Sequence, residues 1–224
     1  MTWVKICGMT NLEDALCAVE AGADAVGFVF YEKSPRCVTV ETAREICAKL
    51  PGSVEKVGVF VNESPERVSA MTDRAELTAA QLHGDEYRSA DRYALQVRTF
   101  FSLSIPECLR GFRGPVGFSV MPRFPGFAGV LLDSGTPGLR GGTGEVFAWE
   151  ESRHLVRYLT SLCPVVIAGG LTPANVKQAT ELLSPWGVDV VSGVEERPGK
   201  KDPEKVRAFV RAVREMDRLH SPGS

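Results

Sequence analysis

Cys7 closes the short apolar run Val4-Lys5-Ile6-Cys7 and is followed at once by Gly8. A thiol acts as a base only once ionised, and its ordinary pKa of about 8.5 means that a nearby cation or a helix N-terminus must help it near neutrality. Most buried cysteines are simply small hydrophobes. Cys7 is set apart by its place at a strand end, by the glycine that opens space above it, and by Asp133, which closes the equivalent run Val130-Leu131-Leu132. An Asp before Ser-Gly is commonly a loop cap. Facing Cys7 across a shared mouth, it completes an acid and base pair suited to moving protons on a sugar phosphate. Lys5 has the same strand parity as Cys7 and is expected to point inward, where an unpaired ammonium is costly; Asp189 on the last strand is its expected partner.

Two glycine turns offer a place for an anion. Ala168-Gly169-Gly170-Leu171-Thr172 and Ser192-Gly193-Val194-Glu195 bring backbone N–H groups close together, and a short helix after the second would add its positive end. Glycines more often serve only to permit tight turns; two such turns at neighbouring places favour phosphate binding through Gly169, Gly170, Ser192 and Gly193. The cluster Gly141-Gly142-Thr143-Gly144 is expected to reach the same anion, through Gly142, or to cover it as a lid. Arg36, in Ser34-Pro35-Arg36, reads as a surface arginine unless the substrate carries a carboxylate, for which a planar fork is the natural reader. His83, in Gln81-Leu82-His83-Gly84, reads as a satisfied strand-end histidine or a group tuning a neighbour.

These residues require a scaffold that gathers strand ends. Eight runs alternate with amphipathic stretches: Trp3 to Cys7, Ala25 to Phe30, Lys56 to Val61, Thr78 to Leu82, Leu95 to Phe100, Val130 to Asp133, Val165 to Gly169 and Asp189 to Gly193. Helix starts are marked by Thr10-Asn11-Leu12-Glu13 before Asp14 to Ala21, by Ser64-Pro65-Glu66, and by Thr172-Pro173 before Ala174 to Leu183. Eight such units predict a (β/α)8 TIM barrel, with its chemistry at the C-terminal strand ends and phosphate commonly held after strands seven and eight. An open doubly wound sheet would usually show G-x-G-x-x-G after its first strand, and Cys7-Gly8-Met9-Thr10-Asn11 does not. Pro106, Gly111, Gly114, Pro115, Pro122 and Pro125 break up the stretch Ser102 to Ala128, so the fifth βα unit is expected to be irregular.

Composition narrows the partners. The 224 residues, 44% hydrophobic, can bury one core, and the reading is a single domain over 1–224. A net charge of −2 supplies no basic field for nucleic acid, which leaves a small phosphorylated molecule as the expected partner. No apolar run approaches the roughly 20 residues of a membrane span and no signal peptide is visible, so a cytoplasmic protein is expected, monomeric or homodimeric. Cys7, Cys17, Cys37, Cys47, Cys108 and Cys163 show neither C-x-x-C pairs nor metal-ligand spacing, so reduced thiols, no metal and no cofactor are expected.

Taken in order, the segments Val4-Lys5-Ile6-Cys7-Gly8, Gly22-Ala23-Asp24-Ala25-Val26-Gly27-Phe28, Ser34-Pro35-Arg36, Val57-Gly58-Val59-Phe60-Val61-Asn62, Gln81-Leu82-His83-Gly84, Leu131-Leu132-Asp133-Ser134, Gly141-Gly142-Thr143-Gly144, Ala168-Gly169-Gly170-Leu171, Ser192-Gly193-Val194-Glu195 and Gly199-Lys200-Lys201-Asp202 resemble the phosphoribosylanthranilate isomerases of tryptophan biosynthesis. The resemblance covers nearly the whole chain. It implies an Amadori rearrangement of N-(5-phosphoribosyl)anthranilate, without metal or cofactor, in which Cys7 is the general base, Asp133 the general acid and Arg36 the reader of the anthranilate carboxylate. One departure is Phe147-Ala148-Trp149 where the family has Phe-Asp-Trp; if that Asp caps a helix, Ala148 costs about 1 kcal/mol of local stability. The alternatives are a related sugar-phosphate barrel, such as a histidine-pathway isomerase or indole-glycerol-phosphate synthase, and a non-catalytic barrel that binds phosphorylated metabolites. A histidine-pathway isomerase would be expected to carry Asp at the end of strand one and a second set of phosphate glycines after strands three and four. Asn62-Glu63-Ser64-Pro65 and His83-Gly84-Asp85-Glu86 supply no such set.

Overall fold

Eight parallel strands close on themselves in chain order: β1 (Trp3–Cys7), β2 (Ala25–Val29), β3 (Glu55–Val61), β4 (Ala79–His83), β5 (Arg98–Ser104), β6 (Phe127–Asp133), β7 (Val165–Ile167) and β8 (Gly187–Val190), with β8 pairing back onto β1. The computed structural model describes residues 1–84, 97–105, 108, 126–134 and 149–220. The (β/α)8 barrel expected from the alternating pattern is the fold found. Among the described residues the helices are α1 (Leu12–Glu20), α2 (Val40–Cys47), α3 (Pro65–Arg74), α4 (Trp149–Thr160), α5 (Val176–Leu183) and α6 (Pro203–His220). The remaining expected helices, most of the irregular fifth unit, the Gly141 to Gly144 cluster and Ala148 lie outside the described residues.

The helix starts follow the capping residues. Asn11 accepts from the Asp14 N–H at 2.9 Å and Ser64 from the Arg67 N–H at 3.3 Å, each relieving an orphan donor of the first turn. Alternation then sorts the strands' side chains. Val4, Ile6, Val26, Phe28, Phe60, Leu82, Val130, Leu132 and Ile167 face the helices in the larger core, whereas Ala25, Val57, Ala79, Phe100, Leu131 and Val166 fill the barrel. Phe28 and Phe60 are fully buried, and truncating either to Ala would cost about 3–5 kcal/mol. The bottom of the barrel is plugged by Trp3, stacked on Phe100 at 5.4 Å and on Trp186 at 5.2 Å, so the open mouth is at the strands' C-terminal ends.

Several boundaries differ from expectation: β5 covers Arg98–Ser104 where Leu95 to Phe100 was expected, and β6 starts at Phe127 rather than Val130, both extended by the pairing of the two strands along Thr99 to Ser104. β7 stops at Ile167 rather than Gly169, because Gly169 and Gly170 adopt φ of +82° and +66°, outside the extended region. β8 begins at Gly187, earlier than Asp189, and Ser192–Val194 forms a three-residue 3-10 turn rather than the end of a strand or a longer helix. A small antiparallel hairpin, β9 (Glu195–Arg197) with β10 (Lys200–Lys201), then separates that turn from α6. α5 starts at Val176 rather than Ala174, since Asn175 is engaged by the preceding turn.

Candidate active site

Cys7 and Asp133, ending β1 and β6, both line one cavity of about 100 Å³ that opens at the C-terminal face. Arg36, His83, Gly169, Gly170 and Ser192 line it too, so most of the candidate site residues are brought together. Gly193 sits just behind this wall, its α-carbon packed so closely on the Leu171 carbonyl that a Cβ would lie 1.9 Å from that oxygen. Gly142 is outside the described residues.

Beneath Cys7 is a buried polar layer. Strand register places Lys5 beside Asp189, and its Nζ donates to Asp189 Oδ1 at 2.9 Å and, across the barrel, to Gln81 Oε1 at 2.9 Å. Lys5 is only 1% exposed, so the inward pairing expected from strand parity is the one present. Burial pulls the Lys5 ammonium toward neutrality, yet its proton is held more firmly than usual, Asp189 being the main attraction. For Cys7 the balance is opposite. Burial pushes the thiol up, and Lys5 pulls it back only in part. The resting group is therefore a thiol, kept poised by the ammonium beside it.

Gly27, paired with Cys7 across β1 and β2, makes this proximity possible. A Cβ there would lie 2.6 Å from Cys7 Sγ and 3.0 Å from Lys5 Cε. Gln81 carries the layer up to the mouth. With Oε1 occupied by the ammonium, its Nε2 must donate, and His83 Nε2 accepts at 2.7 Å with Ser102 Oγ 3.0 Å away. His83 is thus a satisfied strand-end histidine within a relay from Lys5.

Asp133 is half-buried, its Oδ1 accepting from Ser134 Oγ at 3.4 Å. Gly169 is needed for the approach of this segment: a Cβ would fall 2.2 Å from Ser134 Oγ and 2.7 Å from Asp133 Oδ1. After it, Asn175 braces the turn, accepting from the Thr172 N–H at 2.7 Å and donating to the Gly170 carbonyl at 2.9 Å. Among the described residues the Gly169 and Gly170 N–H groups have no hydrogen-bond partner, so this stretch presents donors to an anion.

Arg36 leans over Gly8 and is held by Glu195, the first residue of β9: Nε and Nη2 donate to the two carboxylate oxygens at 2.8 and 2.7 Å. Lys201, 1% exposed, adds a third donation to Glu195 Oε1 at 3.1 Å. Sequence reasoning found Arg36 but missed Glu195 and Lys201. Both lie in a short hairpin after the barrel, where no strand or helix period marks an inward residue. Gln81 was within reach, since it shares strand parity with His83.

Comparison with known proteins shows the family. A family model described as N-(5'phosphoribosyl)anthranilate (PRA) isomerase matches residues 4–212. A protein of Rubrobacter xylanophilus named N-(5'-phosphoribosyl)anthranilate isomerase is 49% identical, covering 96% of this chain and 100% of its own length; one of Chlorobaculum parvum with the same name is 42% identical over 98% of each. The solved phosphoribosylanthranilate isomerase of Thermotoga maritima superposes with a TM-score of 0.80 at 39% identity, covering 96% of this chain and all of that one. Another structure of that activity, TM-score 0.76 at 36% identity over 96% of this chain and all of its own, holds reduced 1-(o-carboxyphenylamino)-1-deoxyribulose 5-phosphate. With the family model spanning nearly the whole chain and relatives this similar in sequence and fold, the chain belongs to the N-(5'-phosphoribosyl)anthranilate isomerase family.

Proposed function

We propose that Cys7 is the base and Asp133 the acid of the isomerisation this chain performs, with Arg36 and the turn at Gly169-Gly170 holding the two anionic ends of the substrate. The reaction is that of the family: N-(5'-phosphoribosyl)anthranilate becomes 1-(2-carboxyphenylamino)-1-deoxyribulose 5-phosphate, a step of tryptophan biosynthesis. The observation that carries the assignment of roles is that a thiol and a carboxyl end two strands of the same barrel on a single cavity.

In the first step the Asp133 carboxyl gives its proton to the furanose ring oxygen as the bond from that oxygen to C1 breaks, and the nitrogen lone pair forms the iminium C=N. The Cys7 thiolate then takes the proton from C2; the C–H electrons become the C1=C2 bond, and the iminium electrons return to nitrogen. The enolamine tautomerises to the ketone. Since the substrate's nitrogen is the electron sink, the residues need supply only proton transfer and positioning. The competent form carries the proton on Asp133 and none on Cys7. Lys5 supports that form because its charge favours the thiolate.

Phosphate is assigned to the Gly169-Gly170 turn with Ser192 and Gly193, and the anthranilate carboxylate to Arg36, the arginine among the described residues that line the cavity. Among the described residues no helix is long and apolar enough to cross a membrane. The chain is read as one barrel domain working in the cytoplasm, as a monomer or, like a Thermotoga maritima relative described as dimeric, as a homodimer. The test is loss of anthranilate-type fluorescence when phosphoribosylanthranilate, generated in place, meets the purified protein. Rapid protein-dependent decay is expected; no decay with a folded protein would favour a related barrel or a binding protein.

A further inference from the structure

A guanidinium has two edges that can grip a carboxylate in parallel: Nε with one Nη, and the pair of Nη groups at its tip. Glu195 occupies the first edge of Arg36, accepting from Nε at 2.8 Å and Nη2 at 2.7 Å. Among the described residues, Nη1 of Arg36 has no hydrogen-bond partner. The tip edge therefore keeps donors to spare on a residue that lines the cavity.

Glu195 is itself fixed. Its Oε1 also accepts from Lys201 Nζ at 3.1 Å and from the Gly199 N–H at 3.3 Å, and its side chain is 4% exposed. Lys201 is anchored in turn: its Nζ donates to the Val191 carbonyl at 3.2 Å and its backbone N–H to Asp14 Oδ2 at 2.7 Å. On the other side, the absence of a side chain at Gly8 is what lets the arginine lie where it does, since a Cβ at that position would fall 2.8 Å from Arg36 Cδ. The hairpin of β9 and β10 thus works as a clamp. It immobilises one edge of a long side chain before the substrate arrives, which lowers the ordering cost of using the other edge.

Resting on the assignment of Arg36 as the carboxylate reader, we propose that Glu195 is a positioning residue that sets specificity for an arylamine carrying an ortho carboxylate: it takes the Nε/Nη2 edge of Arg36 and presents the Nη1/Nη2 edge to the substrate. Glu195 touches no reacting atom and acts through Arg36. Its loss should raise KM for the carboxylated substrate and leave kcat nearly unchanged.

The experiment compares N-(5'-phosphoribosyl)anthranilate with the carboxylate-free N-(5'-phosphoribosyl)aniline, each formed from ribose 5-phosphate and the arylamine and each followed by product formation. The variants are Glu195→Gln, Glu195→Asp and Arg36→Met, with folding checked by thermal unfolding. Glu195→Asp keeps the charge that pairs with buried Lys201 while shortening the reach, so it serves if Glu195→Gln fails to fold. Both Glu195 variants should raise KM for the anthranilate substrate about 10–100-fold and leave KM for the aniline substrate unaltered, the carboxylate preference collapsing toward that of Arg36→Met. If the Glu195 variants keep the preference while Arg36→Met loses it, the clamp is overturned and the Arg36 assignment stands. An equal loss on both substrates marks Glu195 as merely structural and also overturns the clamp. If Arg36→Met keeps the preference, the carboxylate assignment fails and the clamp with it; a wild type that turns over neither substrate contradicts the activity itself.

Discussion

Lys5 and Asp189 form an ion pair 2.9 Å long inside the barrel, one layer below the thiol of Cys7. The pair is dry, with side-chain exposures of 1% and 5%, and Gln81 supplies a further acceptor for the ammonium. Such a pair contributes little net stability compared with well-packed hydrophobes, yet breaking it is expensive because the survivor is left charged in a poorly polarisable interior. Its place beneath the base gives it a second consequence, since the Lys5 charge favours ionised Cys7 while Asp189 opposes it.

Replacing Lys5 by Met should therefore do two things. Unfolding by denaturant should show a loss of about 3–5 kcal/mol from the stranded Asp189. Alkylation of Cys7 by iodoacetamide, which requires the thiolate, should become slower at a given pH. The sign follows from the charges: burial already raises the thiol, removing the cation raises it again, and the midpoint of the rate against pH must move upward. An unchanged midpoint would show that the ammonium does not act on the thiol.

Gly27→Ala isolates geometry from charge. The added methyl would meet Cys7 Sγ at 2.6 Å and Lys5 Cε at 3.0 Å, so one or both side chains must shift. The barrel should still close, because overpacking of this kind costs about 1–3 kcal/mol. Steady-state kinetics should show kcat falling by roughly 10–100-fold, as displacement by a fraction of an ångström removes the thiol from line with its proton. Wild-type kcat in a folded variant would show that the contact is not needed for catalysis.

How much of this was legible beforehand depends on which physical rule governs each residue. The alternation of eight apolar runs and helices pointed to parallel strands buried on both faces, and the lack of a G-x-G-x-x-G turn after the first of them favoured the closed barrel over an open doubly wound sheet. Strand parity correctly paired Lys5 with Asp189 and put Cys7 on the inner face. Parity fails beyond the last strand. Glu195 and Lys201 are buried by a two-strand hairpin whose inward positions have no period to read. The Gly169-Gly170 turn was visible as a turn, but the early end of β7 follows from positive φ values that composition alone does not assign. The role of Asn175 as a brace was hidden for a similar reason: an Asn after Pro173-Ala174 reads equally well as helix, cap or turn.

Asn175→Ala should weaken phosphate binding selectively. Its side chain ties the Thr172 N–H to the Gly170 carbonyl, and without it the donors of the turn lose their fixed direction. KM for phosphoribosylanthranilate and the inhibition constant of inorganic phosphate should both rise by about 5–10-fold, from a net loss near 1 kcal/mol, with kcat retained. A fall in kcat at constant KM would place Asn175 in the chemistry and out of anion binding.

The central claim is that Cys7 and Asp133 move the two protons. Its most direct test is the fluorescence decay of phosphoribosylanthranilate under single-turnover conditions with Cys7→Ser and Asp133→Asn, both checked for wild-type unfolding midpoints. The account predicts that each variant binds substrate and loses turnover by about 100-fold or more, the scale of a missing acid or base. Decay within a few-fold of wild type in either folded variant would contradict the role assigned to that residue.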